Sequence, residues 1–215
     1  MKERLVKGIG INDADYKLNE WSNLDRVDGK QKQKLIWRCP FYKTWMSMLN
    51  RCYSKKFLEK NPTYSECSVS ENWLRFSNFK SWMETQDWEN KYLDKDLLVE
   101  GNKVYCEATC IFVTRRINNF IQERGAGRGP HPIGVSLNKA SQKYESYCEK
   151  ATGGRKFLGL FDCPNKAHDA WLAFKLEQAI ILVNQQEDQR LTKALIERYT
   201  NYKTKEIQEN KYVTI

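Results

Sequence analysis

The sequence predicts an α+β protein. Its N-terminal region is helical and ends in a strand–strand–helix (ββα) unit, followed by a three-stranded antiparallel sheet packed on one long helix. Three observations carry the prediction. Residues 133–185 hold three short strand-like runs, punctuated by turn residues, and then one long amphipathic run. Aromatic residues recur at three- and four-residue steps between positions 41 and 83. Between these regions lies Arg124-Gly125-Ala126-Gly127-Arg128-Gly129-Pro130, whose glycines and proline interrupt any regular pattern.

The C-terminal elements are the most readable. The runs Ile133-Gly134-Val135-Ser136-Leu137 and Tyr144 to Lys150 alternate, placing Ile133, Val135, Leu137, Tyr144, Ser146 and Cys148 on one face. Phe157-Leu158-Gly159-Leu160-Phe161 forms the third run, and Gly153-Gly154 before it suits a hairpin turn that needs positive φ. Pro164 fits the first position of a helix, where its missing N–H costs nothing. Ala167, Ala170, Trp171 and Phe174 then make an apolar stripe, which Gln178 interrupts and Ile181-Leu182 resume. The opposite sheet face and its turns take Asn138, Lys139, Lys143, Glu145, Tyr147, Glu149, Lys150, Arg155 and Lys156, a polar and mildly positive surface. From Arg190 to Tyr212 a last helical pattern places Leu191, Leu195, Ile196 and Tyr199 against the preceding helix.

Upstream, Phe41, Trp45, Met48 and Cys52 share one helical face, and a second helix opens at Ser70 with Trp73, Phe76, Phe79, Trp82 and Met83 along its length. Stripes so regular belong to a core rather than to a base-stacking platform. The chain divides into an extension over 1–35, an aromatic-rich region with the ββα unit over 36–122, a Gly/Pro-rich linker over 123–132 and the sheet-and-helix module with its C-terminal helix over 133–215.

Composition narrows the function classes. With 36 Lys+Arg against 27 Asp+Glu, the net charge of +9 favours a polyanionic partner. No run reaches the roughly 18 apolar residues of a membrane span, and the start Met1-Lys2-Glu3-Arg4 is not that of a secretory signal, so a cytoplasmic protein is expected. Seven cysteines form no CxxC pair and only two histidines are present, so structural zinc is not expected; the thiols read as small buried hydrophobes in a reducing compartment.

The stretch PIGVSLNKASQKYESYCEK…GGRKFLGLFDCPNKAHDAWLAFKLEQA resembles the AP2/ERF integrase-type DNA-binding domain over about fifty residues. Gly134-Val135, Tyr144, Leu158-Gly159, Phe161, Pro164, Ala167 and Ala170-Trp171 are the matching positions; Cys163 stands where that family usually caps the helix with Thr or Ser. The resemblance implies a sheet laid in the major groove of double-stranded DNA. Contacts would then come from Lys143, Tyr147, Lys150, Arg155 and Lys156.

The segment from Leu93-Asp94-Lys95-Asp96 through Phe112-Val113-Thr114 to Asn118 is similar to the HNH nuclease motif. That resemblance implies that Asp94 and Asn118, with Asp96 beside them, hold magnesium or manganese if the unit is catalytic. Lys95 stands where the general-base histidine of that family belongs. An ordinary lysine is protonated at neutral pH, so Lys95 serves as base only if its pKa falls by about three units. Otherwise its expected catalytic role is to contact the scissile phosphate. Arg115, Arg116, Arg124 and Arg128 would follow the backbone nearby. The order of modules is similar to that of phage homing-endonuclease-like proteins, which places the chain in a host cytoplasm. Three functions remain open at this level: a metal-dependent endonuclease that nicks or cleaves duplex DNA, a non-catalytic DNA-binding regulator with a decayed HNH unit, and an RNA-binding or host-interaction protein.

Overall fold

The computed structural model describes residues 5–27, 30–122, 130–184 and 186–201. Its chain contacts divide it into two units, Met1–Val113 and Thr114–Ile215. The division falls ahead of the glycine-rich 123–132 segment at which the sequence places the joint. The helix α5 (Arg115–Ile121) belongs with the second unit.

The first unit holds an antiparallel ribbon, β1 (Asn19–Val27) and β2 (Lys30–Arg38), most of it within the 1–35 extension. In sequence the two strands are separated by Asp28-Gly29, which lie outside the described residues. Before the ribbon, Val6, Ile9 and Leu18 pack against the unit's core, and a Cβ on Gly10 would meet Leu49 at 2.4 Å. Helix α1 (Pro40–Tyr53) buries Trp45, Met48 and Cys52 of the predicted face and Leu49 as well, while Phe41 is partly buried. A short helix α2 (Lys55–Lys60) and a single 3₁₀ turn at Pro62–Tyr64 lead to β3 (Ser68–Val69).

The helix expected from Ser70 is two helices, α3 (Glu71–Leu74) and α4 (Phe76–Glu84). Arg75 leaves helical geometry because Ile11 pairs with it. The Ile11 N–H donates to Leu74 O and the Phe76 N–H to Ile11 O, at 2.8 and 3.0 Å. The aromatic stripe is core: Trp73 and Phe79 are fully buried, Trp73 lies 4.4 Å from Trp82 between ring centroids, and Trp45 Nε1 donates to Trp73 O at 2.7 Å. Strand β4 (Lys91–Asp94) pairs with β6 (Ile111–Thr114), while β5 (Val104–Tyr105) pairs in parallel with β3. Helix α5 follows β6 directly, capped by Thr114 Oγ1, which accepts from Ile117 N.

The second unit has the architecture read from its runs. Strands β7 (Val135–Asn138), β8 (Lys143–Glu149) and β9 (Arg155–Phe161) form an antiparallel sheet in that order. Gly153 and Gly154 make the second turn, with φ of +97° and +76°. Helix α6 (Pro164–Val183) packs on one face, covering Val135, Ser146 and Cys148, and α7 (Gln189–Thr200) packs on α6 through Leu191, Leu195 and Tyr199. The expected continuation of that last helix to Tyr212 lies outside the described residues. Among the described residues no helix is long and apolar enough to cross a membrane.

Candidate nucleic-acid interface

Strand pairing sorts the second unit's sheet into two faces. Val135 opposes Ser146 and Leu137 opposes Tyr144 on the side of α6. On the other side Ser136, Glu145 and Leu160 line up, Tyr147 opposes Phe157, and Glu149 opposes Arg155. That outer face is more apolar than the sequence implies, for Phe157 is 49% and Leu160 45% exposed. Tyr147 and Phe157 lie 5.1 Å apart between centroids, and the Arg155 guanidinium covers the Tyr147 ring at 5.0 Å. Glu145 accepts from Ser136 Oγ at 3.1 Å and from Asn138 Nδ2 at 3.3 Å.

A register shift in β9, between the partners of Ser146 and Tyr147, moves one predicted contact residue. Lys156 pairs with Cys148 on the helix side, and its ammonium lies 4.5 Å from the Phe174 ring. Arg155 and Lys156 therefore point to opposite faces. Lys143, at the far end of β8, pairs with Asp162 at 3.1 Å.

Beside the outer face the second unit carries a groove made of two adjoining cavities. One, of about 340 Å³, is lined by Arg116, Asn119, Lys150 and the Gly153 turn. The other, of about 450 Å³, is lined by Asn119, Tyr147, Arg155 and Trp171; the two share Asn119, Phe120 and Glu149. Four of the residues singled out from sequence, Arg116, Tyr147, Lys150 and Arg155, thus meet around one groove. Arg115 is exposed on α5, and Arg124 and Arg128 lie outside the described residues. Phe157, Leu160 and Asn119 are the members sequence reasoning missed; the first two are exposed by the register shift, which local alternation does not reveal.

In the first unit, β4 ends at Asp94, so Asp96 is placed by a turn rather than by strand alternation. Asp94 Oδ1 accepts the backbone N–H groups of Asp96 and Leu97 at 3.0 and 2.8 Å. Burial and the neighbouring Asp96 carboxylate push the Asp94 carboxyl above the usual aspartate range. Lys95 is 8% exposed, and its ammonium donates to Asp96 Oδ2 at 3.0 Å and to Asn102 O at 2.9 Å. Burial opposes the Lys95 charge, but the bond and the charge of Asp96 more than offset it, so its pKa is raised rather than lowered. Asn102 completes the loop by donating to Lys95 O, Val104 O and Thr109 Oγ1. A lysine held this way stays protonated, which is opposite to the shift a general base requires.

The donor set fits a divalent cation only in part. One oxygen of Asp94 is taken by two N–H groups and one of Asp96 by the ammonium. A single carboxylate oxygen remains on each, against the near-octahedral shell of magnesium or manganese. No group of three or more His, Cys, Asp or Glu side chains gathers among the described residues. Asn118, the other expected ligand, is half-buried on α5 of the second unit, whereas Asp94 belongs to the first.

The chain matches no protein-family model, no curated protein and no solved structure.

Proposed function

We propose that this is a DNA-binding protein whose second unit engages duplex DNA with the outer face of β7–β9. More particularly, it is a non-catalytic binder similar to phage HNH/AP2-type proteins, in which the ββα-like segment is a folded scaffold. The observation that carries the reading is the sheet itself. One face is covered by α6, and the other presents Arg155 stacked on Tyr147 beside a groove edged by Arg116 and Lys150. The major groove admits a β-ribbon, arginine pairs with guanine edges there, and apolar side chains such as Phe157 and Leu160 suit thymine methyl groups.

Endonuclease activity is the second reading, supported by the free oxygens of Asp94 and Asp96. Lys95 weighs against it, since its ammonium is occupied by Asp96 and Asn102. The test selects duplexes from a random pool with the full chain, then measures affinity by fluorescence anisotropy and cleavage with magnesium, manganese or chelator. Binding without cleavage is expected, and Arg155→Ala is expected to weaken it about tenfold or more, the size of one lost base contact. Metal-dependent cutting that disappears in an Asp94→Ala/Asn118→Ala variant would replace this reading with the nuclease. A preference for RNA at matched salt would overturn both. Lys95→His is the companion variant, because activity gained there identifies a metal site that lacked only its base.

A further inference from the structure

The first unit holds a cavity of about 490 Å³ between α1 and the start of β4; its lining includes Leu93, the residue before Asp94, whose carboxylate helps hold the Arg51 guanidinium charged. Lys43, Arg51 and Lys91 line it with the Thr44 and Ser47 hydroxyls, and Trp88 forms part of its wall. No carboxylate belongs to the lining, and the first turn of α1 carries no acidic residue. We propose that this cavity is a phosphate-binding site for a nucleotide, either free or as one unit of a nucleic-acid strand.

The chemistry of each wall supports that assignment. Arg51 is anchored through a single nitrogen, Nη1, which donates to Leu93 O at 3.4 Å and to Tyr105 OH at 3.3 Å. The rest of its planar fork makes no other hydrogen bond among the described residues, and such a fork matches phosphate oxygens. Lys91 pairs with Asp87, an exposed carboxylate outside the lining, and Lys43 has no ion pair among the described residues. The Ser47 hydroxyl and the Asn90 amide add neutral donors to the lining, while the Thr44 hydroxyl donates to Pro40 O at 3.0 Å. Met48, Met83 and Trp88 supply an apolar side against which a base or sugar is desolvated. The volume is that of a small-molecule site.

This inference does not rest on the sheet of the second unit. The test is NMR of the isotope-labelled full chain titrated with thymidine 5′-monophosphate, thymidine and an oligothymidylate. Shifts at the Trp88 indole, the Arg51 Nε–H and the Asn90 amide with a phosphate-bearing probe, but not with thymidine, are expected. Lys43→Glu is expected to weaken that binding about tenfold, while Lys80→Ala, outside the cavity, leaves it unchanged. Response to the mononucleotide identifies a free nucleotide as the source; response to the oligonucleotide alone identifies a strand. Silence of these signals with every phosphate probe, or equal shifts with thymidine, overturns the proposal, as does unchanged affinity in a folded Lys43→Glu chain. Duplex binding with a silent cavity overturns this site alone. A responding cavity with no effect of Arg155→Ala on duplex binding overturns the sheet reading alone.

Discussion

Gly134 holds a φ of +81° and lies so close to the indole of Trp171 that a Cβ would stand 2.1 Å from its Cδ1. An alanine there meets a left-handed penalty of about 1–2 kcal/mol and overpacking of about 1–3 kcal/mol. Gly134→Ala is therefore expected to destabilise the second unit by roughly 2–5 kcal/mol in urea unfolding; a change below about 0.5 kcal/mol would mean the indole moves aside freely. Asp94 makes the opposite prediction. Because its folded pKa is raised, ionisation withholds stability. The penalty is absent below the usual aspartate value, grows as pH rises and is complete above the raised value. Asparagine keeps the Oδ1 acceptor for Asp96 N and Leu97 N without the charge. Asp94→Asn should thus melt higher than the wild-type chain at pH 7, with the gap closing as pH falls toward the ordinary carboxylate range. A lower melting temperature at pH 7 would show that the ionised carboxylate contributes something beyond those two bonds.

Helix α6 shows what an element does with polar residues on its inner face. His168 Nδ1 bonds Ile133 O at 2.8 Å, Lys175 Nζ donates to Phe120 O at 2.8 Å, and Gln178 Oε1 accepts Ala151 N at 2.8 Å. With Trp171 and Leu182 these residues form one stripe at helical spacing, tying helix α5 and two connecting segments to α6. The Lys175 ammonium also stands 3.4 Å from the Phe120 ring centroid. Gln178→Leu removes the acceptor of a buried N–H, and the expected cost is about 1–3 kcal/mol, with faster amide exchange at Ala151. Unchanged exchange there would show that the bond is not what holds the turn. The extent of α6 was legible from Pro164 and its apolar residues. Its polar stripe was not, because Gln178 reads as an interruption until its distant acceptor role is known. The same limit explains the break at Arg75: the residue looks helical locally, and only the backbone of Ile11 pulls it out. Alternation placed the helix-facing residues of β8 correctly, whereas the register shift in β9 sent Lys156 to the wrong side. The ribbon β1–β2 is different, since Asp28-Gly29 was a local signal. At the Asp94 turn, residue identities were legible, but the occupation of Lys95 by Asp96 and Asn102 required the fold.

At the scale of the molecule, a charge of +9 favours any polyanion, so placement must distinguish specific contact from general attraction. The second unit separates the two within one dipeptide. Arg155 faces outward over Tyr147 and edges the groove, while Lys156, of the same charge and one residue on, lies on the α6 side against Phe174. Neutralising a phosphate contact lowers the slope of log K against log salt by about 1 for each residue removed. If Lys150 at the groove holds a phosphate while Arg155 reads a base edge, Lys150→Ala should reduce that slope by about 1, whereas Arg155→Ala should lower affinity with little change of slope. Lys156→Ala, with an equal change of net charge per residue, should leave it nearly unchanged. Equal losses per residue at all three positions would mean that the protein attracts DNA through its overall field. A slope that falls by about 1 in Arg155→Ala would instead place that guanidinium on a phosphate rather than on a base edge.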